Sequence, residues 1–203
     1  MKTNGRFAIS RAVKLASGAA VLALLAACEL IPPAQPDLTR YYVLGAEAKS
    51  DGAPAARPVR VALRPVEVPQ FLHGRIIEVR VGPNEVRYVD EAHWAEPLDA
   101  GVTHVLRDNL AAHAGLVLTA RGEAHDYEIV VRVRQCEGVV ASGVARFEAR
   151  VEIYSTELDP KVVAQDDFAT EVAGWDGKDY GALTKKLSEA IARLADRVAG
   201  MVK

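Results

Sequence analysis

From Val144 to Tyr154 the chain alternates strictly: Phe147, Ala149, Val151 and Ile153 fall on one side of an extended backbone, and Arg146, Glu148, Arg150 and Glu152 on the other. Successive side chains of a strand point to opposite faces, so this segment needs a sheet with one dry face and one face that meets water or a polar partner. Just upstream, Tyr127, Ile129, Val131 and Val133 alternate with Glu128, Val130, Arg132 and Arg134. The loop from Glu137 to Gly143 is short enough to make the two an antiparallel pair. Val162 to Val172 can add a third strand after the turn at Asp159-Pro160.

The dry face needs a cover, and two segments have helical periodicity. Tyr180, Leu183, Leu187, Ile191, Leu194 and Val198 form one stripe, with Lys185, Lys186, Glu189, Arg193 and Asp196 opposite and Asp179 placed to cap the start. Pro97 to Ala114 reads as the other helix, with proline in the first turn and Gly115 just past the end. Its apolar face is Leu98, Val102, Val105, Leu106 and Leu110, from which His104 and Arg107 fall away. Asn109 and His113 lie within that arc and are expected to be satisfied polar groups rather than reactive ones. Ahead of this helix, Tyr41–Leu44 and Val59–Val68, kinked at Pro65, read as strands. Ile76–Val81 and Val86–Val89 flank Gly82-Pro83-Asn84-Glu85 and read as a hairpin. The expected fold is α/β: a single domain with a mixed, largely antiparallel sheet of about six strands and two main helices, without internal repeats.

At 203 residues, half of them hydrophobic, the chain fits one such domain plus an appendage. The appendage is N-terminal. Residues 1–27 hold Lys2, Arg6, Arg11 and Lys14 and no acid, and Leu15–Ala27 is uncharged, the layout of a secretory signal. Thirteen residues of helix span roughly 20 Å, too short to cross a hydrocarbon core of about 30 Å comfortably. From Cys28 onward 21 basic residues face 27 acidic ones, interleaved. Such a distribution has no footprint for nucleic acid. Leu25-Ala26-Ala27-Cys28 resembles the bacterial lipobox. That resemblance implies that Cys28 carries a thioether-linked diacylglycerol and an N-acyl chain and begins the mature protein. Glu29, in place of the aspartate that retains lipoproteins at the inner membrane, implies the outer membrane. Residues 28–40, with Pro32, Pro33 and Pro36, then suit an extended tether of at most roughly 40 Å, and 41–203 form the periplasmic domain.

Catalytic motifs are missing. Gly174-Trp175-Asp176-Gly177-Lys178-Asp179 has the wrong spacing for a phosphate loop, and Ala141-Ser142-Gly143 is no nucleophile elbow. The histidines at 73, 93, 104, 113 and 125 show no metal-binding spacing. With Cys28 acylated, Cys136 has no partner for an internal disulfide and reads as a buried, inert thiol. The chain is not expected to be an enzyme or to hold a cofactor or metal.

One segment is dense in unusual residues: Arg87-Tyr88-Val89-Asp90-Glu91-Ala92-His93-Trp94-Ala95-Glu96-Pro97-Leu98. By itself it reads as a strand-to-helix junction with Trp94 as a packing lid. Together with the lipobox, Tyr41-Tyr42-Val43-Leu44, the strand containing Pro65 and Asn84-Glu85-Val86-Arg87-Tyr88, it resembles the ABC-type transport auxiliary lipoprotein family (PqiC-like) from about residue 38 to the C-terminus. The resemblance implies a fold similar to the TolB N-terminal domain. It also implies partnership with an MCE-domain protein that forms a lipid conduit, with a homo-oligomeric ring among the assemblies known for relatives. The motif carries over to Trp94, Glu96, Pro97 and Leu98, whose expected role is to fix the helix start. The expected function is a non-enzymatic accessory that docks this conduit at the outer membrane, and the alternative is a periplasmic lipid-binding carrier. The Arg/Glu face of Val144–Tyr154 is either a partner surface or merely solvated.

Overall fold

The computed structural model describes residues 36–47, 57–120, 122–157 and 159–202, so Cys28, the leader and most of the tether lie outside the described residues. In chain order the elements are β1 (Arg40–Tyr42), β2 (Val59–Leu63), a 3-10 turn at Gln70–Leu72, β3 (Ile76–Gly82), β4 (Glu85–Trp94), α1 (Leu98–Ala111), β5 (Leu116–Leu118), β6 (Tyr127–Val139), β7 (Val144–Ser155), β8 (Val162–Ala173) and α2 (Tyr180–Met201). Thr39–Lys203 forms one compact unit.

The long antiparallel ladder of β6, β7 and β8 carries the sheet, as the alternation requires. The other edge of β6 is shared. Its start pairs in parallel with β2, from Val61 opposite Tyr127 to Leu63 opposite Ile129, and its end with β3, where Val79 faces Gly138. β5 flanks β2 in parallel, β4 returns antiparallel on β3, and β1 lies parallel to β4. The result is one mixed, mostly antiparallel sheet of eight strands where about six were expected; seven of the eight correspond to segments read as strands from the sequence. The three-residue β5 is the strand without a sequence signal; it is too short to show a period and exists through its pairing with β2.

Pro65 ends β2 early because it has no N–H to give the ladder. The chain still follows β6 beyond it: Arg64 N–H donates to the Ile129 carbonyl at 3.0 Å and Glu67 N–H to that of Val131 at 3.0 Å. β4 runs five residues past the expected end at Val89, since Ala92, His93 and Trp94 are held by β1. Pro97 sits at the N-cap of α1 rather than in its first turn, and α1 stops at Ala111, three residues short of the expected end. In α2 the Asp179 carboxylate accepts from Ala182 N–H at 3.0 Å, the cap that was expected.

Phe147, Ala149, Val151 and Ile153 are all at most 1% exposed and pack into one core with Leu183, Leu187, Ile191 and Leu194 of α2 and Val102, Leu106 and Leu110 of α1. The parity of β6 changes within the strand. Val133 lies opposite Ala149 but Gln135 opposite Glu148, so Arg134 is an extra residue in a bulge. This shift turns Cys136 and Gly138 to the core face and Gln135 and Glu137 to the polar face.

Candidate functional site

The Trp-Ala-Glu-Pro-Leu element is the joint between sheet and helix. Trp94, 4% exposed, and Leu98, 1% exposed, belong to the core. Backbone bonds tie the segment on three sides: Trp94 N–H to the Arg75 carbonyl at 2.5 Å, Ala95 N–H to that of Tyr42 at 2.8 Å and Leu98 N–H to that of Gly74 at 3.2 Å. Arg75 also donates from its guanidinium to the Ala95 carbonyl at 3.1 Å. Pro97, at φ −54° and ψ 140°, is preset for the turn into α1. The Glu96 stem packs at Gly101, and its carboxylate lies 3.0 Å from His104 Nδ1, on a surface where both side chains are exposed. The element positions β1, β4 and α1. Trp94→Phe is accordingly expected to cost about 1.5 kcal/mol of stability through lost core volume, and Glu96→Gln less than about 0.5 kcal/mol; thermal unfolding of both variants measures the difference.

The polar face of β6, β7 and β8 is a lattice of ion pairs. Arg132 reaches Glu152 at 2.7 Å and Glu67 at 3.0 Å; Arg150 reaches Glu152 at 3.1 Å and Asp167 at 3.1 Å; Arg146 reaches Glu171 at 2.8 Å. Arg134 also bonds Asp167. Hydrogen bonds from Arg132, Arg150 and the Tyr154 hydroxyl hold the Glu152 carboxyl down at about 2. These charges satisfy one another across strands.

Towards β3 the lattice becomes buried. Glu137 is 0% exposed, with Arg80 donating to both of its oxygens at 2.6 and 3.1 Å and Arg146 4.0 Å away. Beside it Glu78 is 2% exposed, and its Oε1 has no hydrogen-bond partner. Burial, with a smaller push from the Glu137 charge, raises the Glu78 carboxyl from 4.5 to about 8. Sequence reading missed both acids. Their only local sign is an acid amid apolar strand residues, Ile77 and Val79 in one case and Cys136 and Gly138 in the other.

Cys136 is 2% exposed, and burial pushes its thiol well above the ordinary value, with the charges of Glu78 and Glu137 adding to the push. A thiol held protonated there is a poor nucleophile. The histidines are dispersed: His104 meets Glu96, His113 lies 3.2 Å from Asp196, His125 meets the Glu123 carbonyl and His93 stacks edge-on against Tyr41. Asn109, fully buried, accepts from Glu47 N–H at 3.0 Å. Among the described residues no cluster of histidine, cysteine and carboxylate side chains could hold a metal ion. A surface cavity of about 610 Å³ beside Pro65 is lined by Arg64, Glu67, Thr103, Arg107, His125 and Glu128. Its charges are partly matched within the wall, as in Arg64 with Glu128 at 3.7 Å.

Several solved structures share this fold, two of them as follows. One, of an uncharacterized protein, is 18% identical with a TM-score of 0.68 and covers 81% of this chain and 99% of its own. The other, protein XCC0632 from Xanthomonas campestris, of family DUF330, is 18% identical with a TM-score of 0.69 and covers 79% and 93%. No curated protein matches the sequence significantly. Residues 42–199, from the second residue of the expected domain to the last turn of α2, match the family described as ABC-type transport auxiliary lipoprotein component, and the chain belongs to that family.

Proposed function

We propose that this chain is a non-enzymatic lipoprotein of the outer membrane that docks the periplasmic conduit of an MCE-type, ABC-driven lipid transport system. Residues 1–27 are the leader, 28–40 the acylated tether and 41–203 the periplasmic domain. The observation that carries the reading is the family match over 42–199, joined to the lipobox ending in Cys28. The chain has no phosphate loop, so energy for transport comes from another component. A doubly acylated cysteine buries enough methylene groups, at about 0.8 kcal/mol each, to make the anchor effectively permanent. The carrier alternative needs apolar space between sheet and helices. That space is filled by Phe147, Val151, Ile153, Leu187 and Ile191, each at most 1% exposed.

The test is a pull-down of C-terminally tagged protein from gently solubilised envelopes, with native sequence and with Cys28→Ala, read by mass spectrometry. An MCE-domain protein is expected with the native form. Its retention by the variant places recognition in the folded domain. Absence of every transporter component from both preparations would sink the docking role.

A further inference from the structure

The sheet has a second exposed region, unlike the ion-pair lattice. On the face opposite the helices, Tyr41 of β1 lies beside His93 of β4, ring centroids 5.8 Å apart, and His93 lies beside Ile76 of β3. Two residues along from Tyr41 is Val43, and on the same face Tyr88 reaches with its hydroxyl to the Phe71 carbonyl at 3.2 Å. These side chains are unusually bare: Tyr41 61%, Val43 63%, Tyr88 47%, Ile76 42% and Phe71 38% exposed. Over most of β6, β7 and β8 the same face is covered by paired arginines and carboxylates; here it presents aromatic and branched apolar groups, with the exposed Asp90 and Glu91 of β4 in the stretch between Tyr88 and His93.

We propose that this patch rests on the lipid surface to which the protein is tethered. The inference depends on acylation of Cys28. Three observations point to lipid as the occupant. The patch lies on β1, the first element after the tether, and twelve residues from Cys28 to Arg40 span at most roughly 40 Å, so an acylated Cys28 keeps this edge of the domain near the bilayer. Two tyrosines combine an apolar ring with a wet hydroxyl, the chemistry favoured at the headgroup level of a bilayer. The exposed apolar area, roughly 400 Å² for side chains of this size and exposure, is about half of what each subunit contributes to a standard stable interface. A second copy docking on the patch alone would be underfilled. A membrane surface needs no such area once a covalent anchor supplies the affinity.

The experiment uses the full lipidated protein reconstituted into phosphatidylethanolamine and phosphatidylglycerol vesicles, with and without brominated acyl chains. Tyr41→Trp and Tyr88→Trp place a reporter in the patch, and Val163→Trp on β8 places one away from it. The native Trp94 and Trp175 are 4% and 3% exposed and give the background. Both patch reporters are expected to lose about half of their added emission to the bromines, as an interfacial ring does, with the β8 reporter unchanged. Flotation with the vesicles without quenching of either patch reporter overturns the proposal. So does a blue shift that depends on protein concentration, which would assign the patch to a second copy. Protein that does not float, and whose Cys28 peptide has its unmodified mass, overturns the acylation reading and this proposal with it.

Discussion

Gly138→Ala is expected to destabilise the protein by about 3 kcal/mol, at the upper end of the cost of overpacking a core. Gly138 lies in the last third of β6 on the core face, opposite Ala145. A Cβ there would stand 2.5 and 2.7 Å from two carbons of the Trp175 ring and 3.0 Å from Leu183 Cδ2, where carbon atoms prefer about 3.5–4.0 Å. The ring cannot slide away cheaply. Trp175 is 3% exposed, its indole N–H donates to the Asp179 carbonyl at 2.8 Å, and its backbone N–H donates to that of Gly143 at 2.9 Å. Gly143, at φ +63°, in turn stands so close that its own Cβ would be 2.6 Å from the Trp175 carbonyl oxygen. Two glycines therefore shape the seat of one tryptophan, and that seat fixes the approach of the chain into α2. Urea unfolding is the measurement: the midpoint should fall with the slope unchanged. In a cycle with Trp175→Leu the two substitutions should couple favourably by about 1 kcal/mol or more. A Gly138→Ala unfolding free energy within about 0.5 kcal/mol of the native one would mean the ring yields, and this account of the seat would be wrong.

That glycine also shows where sequence reading reaches its limit. The strands β6, β7 and β8, both helices and the Asp179 cap are legible because each rests on a period of side chains or a local hydrogen bond. Trp94 and Leu98 are legible as a packed junction for the same reason. What long-range pairing decides is not. The extra residue at Arg134 has no local mark, yet it reverses the parity of β6 and so puts Cys136 in the core and Glu137 on the polar face. The burial of the Cys136 thiol was legible, but not the bulge that produces it. Arg80 and Glu137 are 57 residues apart and meet because β3 lies parallel to the end of β6. The apolar patch of Tyr41, Ile76 and Tyr88 comes from three strands in the same way: each residue alone reads as an ordinary strand position.

Glu78 is the group whose titration should be felt most in stability, and the direction is the reverse of the usual carboxylate. Its folded value of about 8 stands above the ordinary 4.5, so between those limits the folded chain holds a proton that the unfolded chain has released. Stability is then complete below about pH 4.5 and falls as pH rises to about 8, by up to about 1.4 kcal/mol per unit. Above that the loss levels off. The causes are burial and isolation: the carboxyl is 2% exposed, and Oε1 has no hydrogen-bond partner. Arg80, the cation on the same strand face, is committed to both oxygens of Glu137. Glu78→Gln keeps the shape and removes the ionisation. The variant should match the native protein near pH 5 and exceed it by on the order of 3 kcal/mol at pH 8.5. Thermal midpoints of both proteins between pH 5 and 9 make the comparison. Curves that stay parallel would show that Glu78 is ionised and solvated in the folded chain. Diverging curves would show that Arg80 serves Glu137 alone, leaving a second, neutral acid at the centre of a face otherwise built from paired charges.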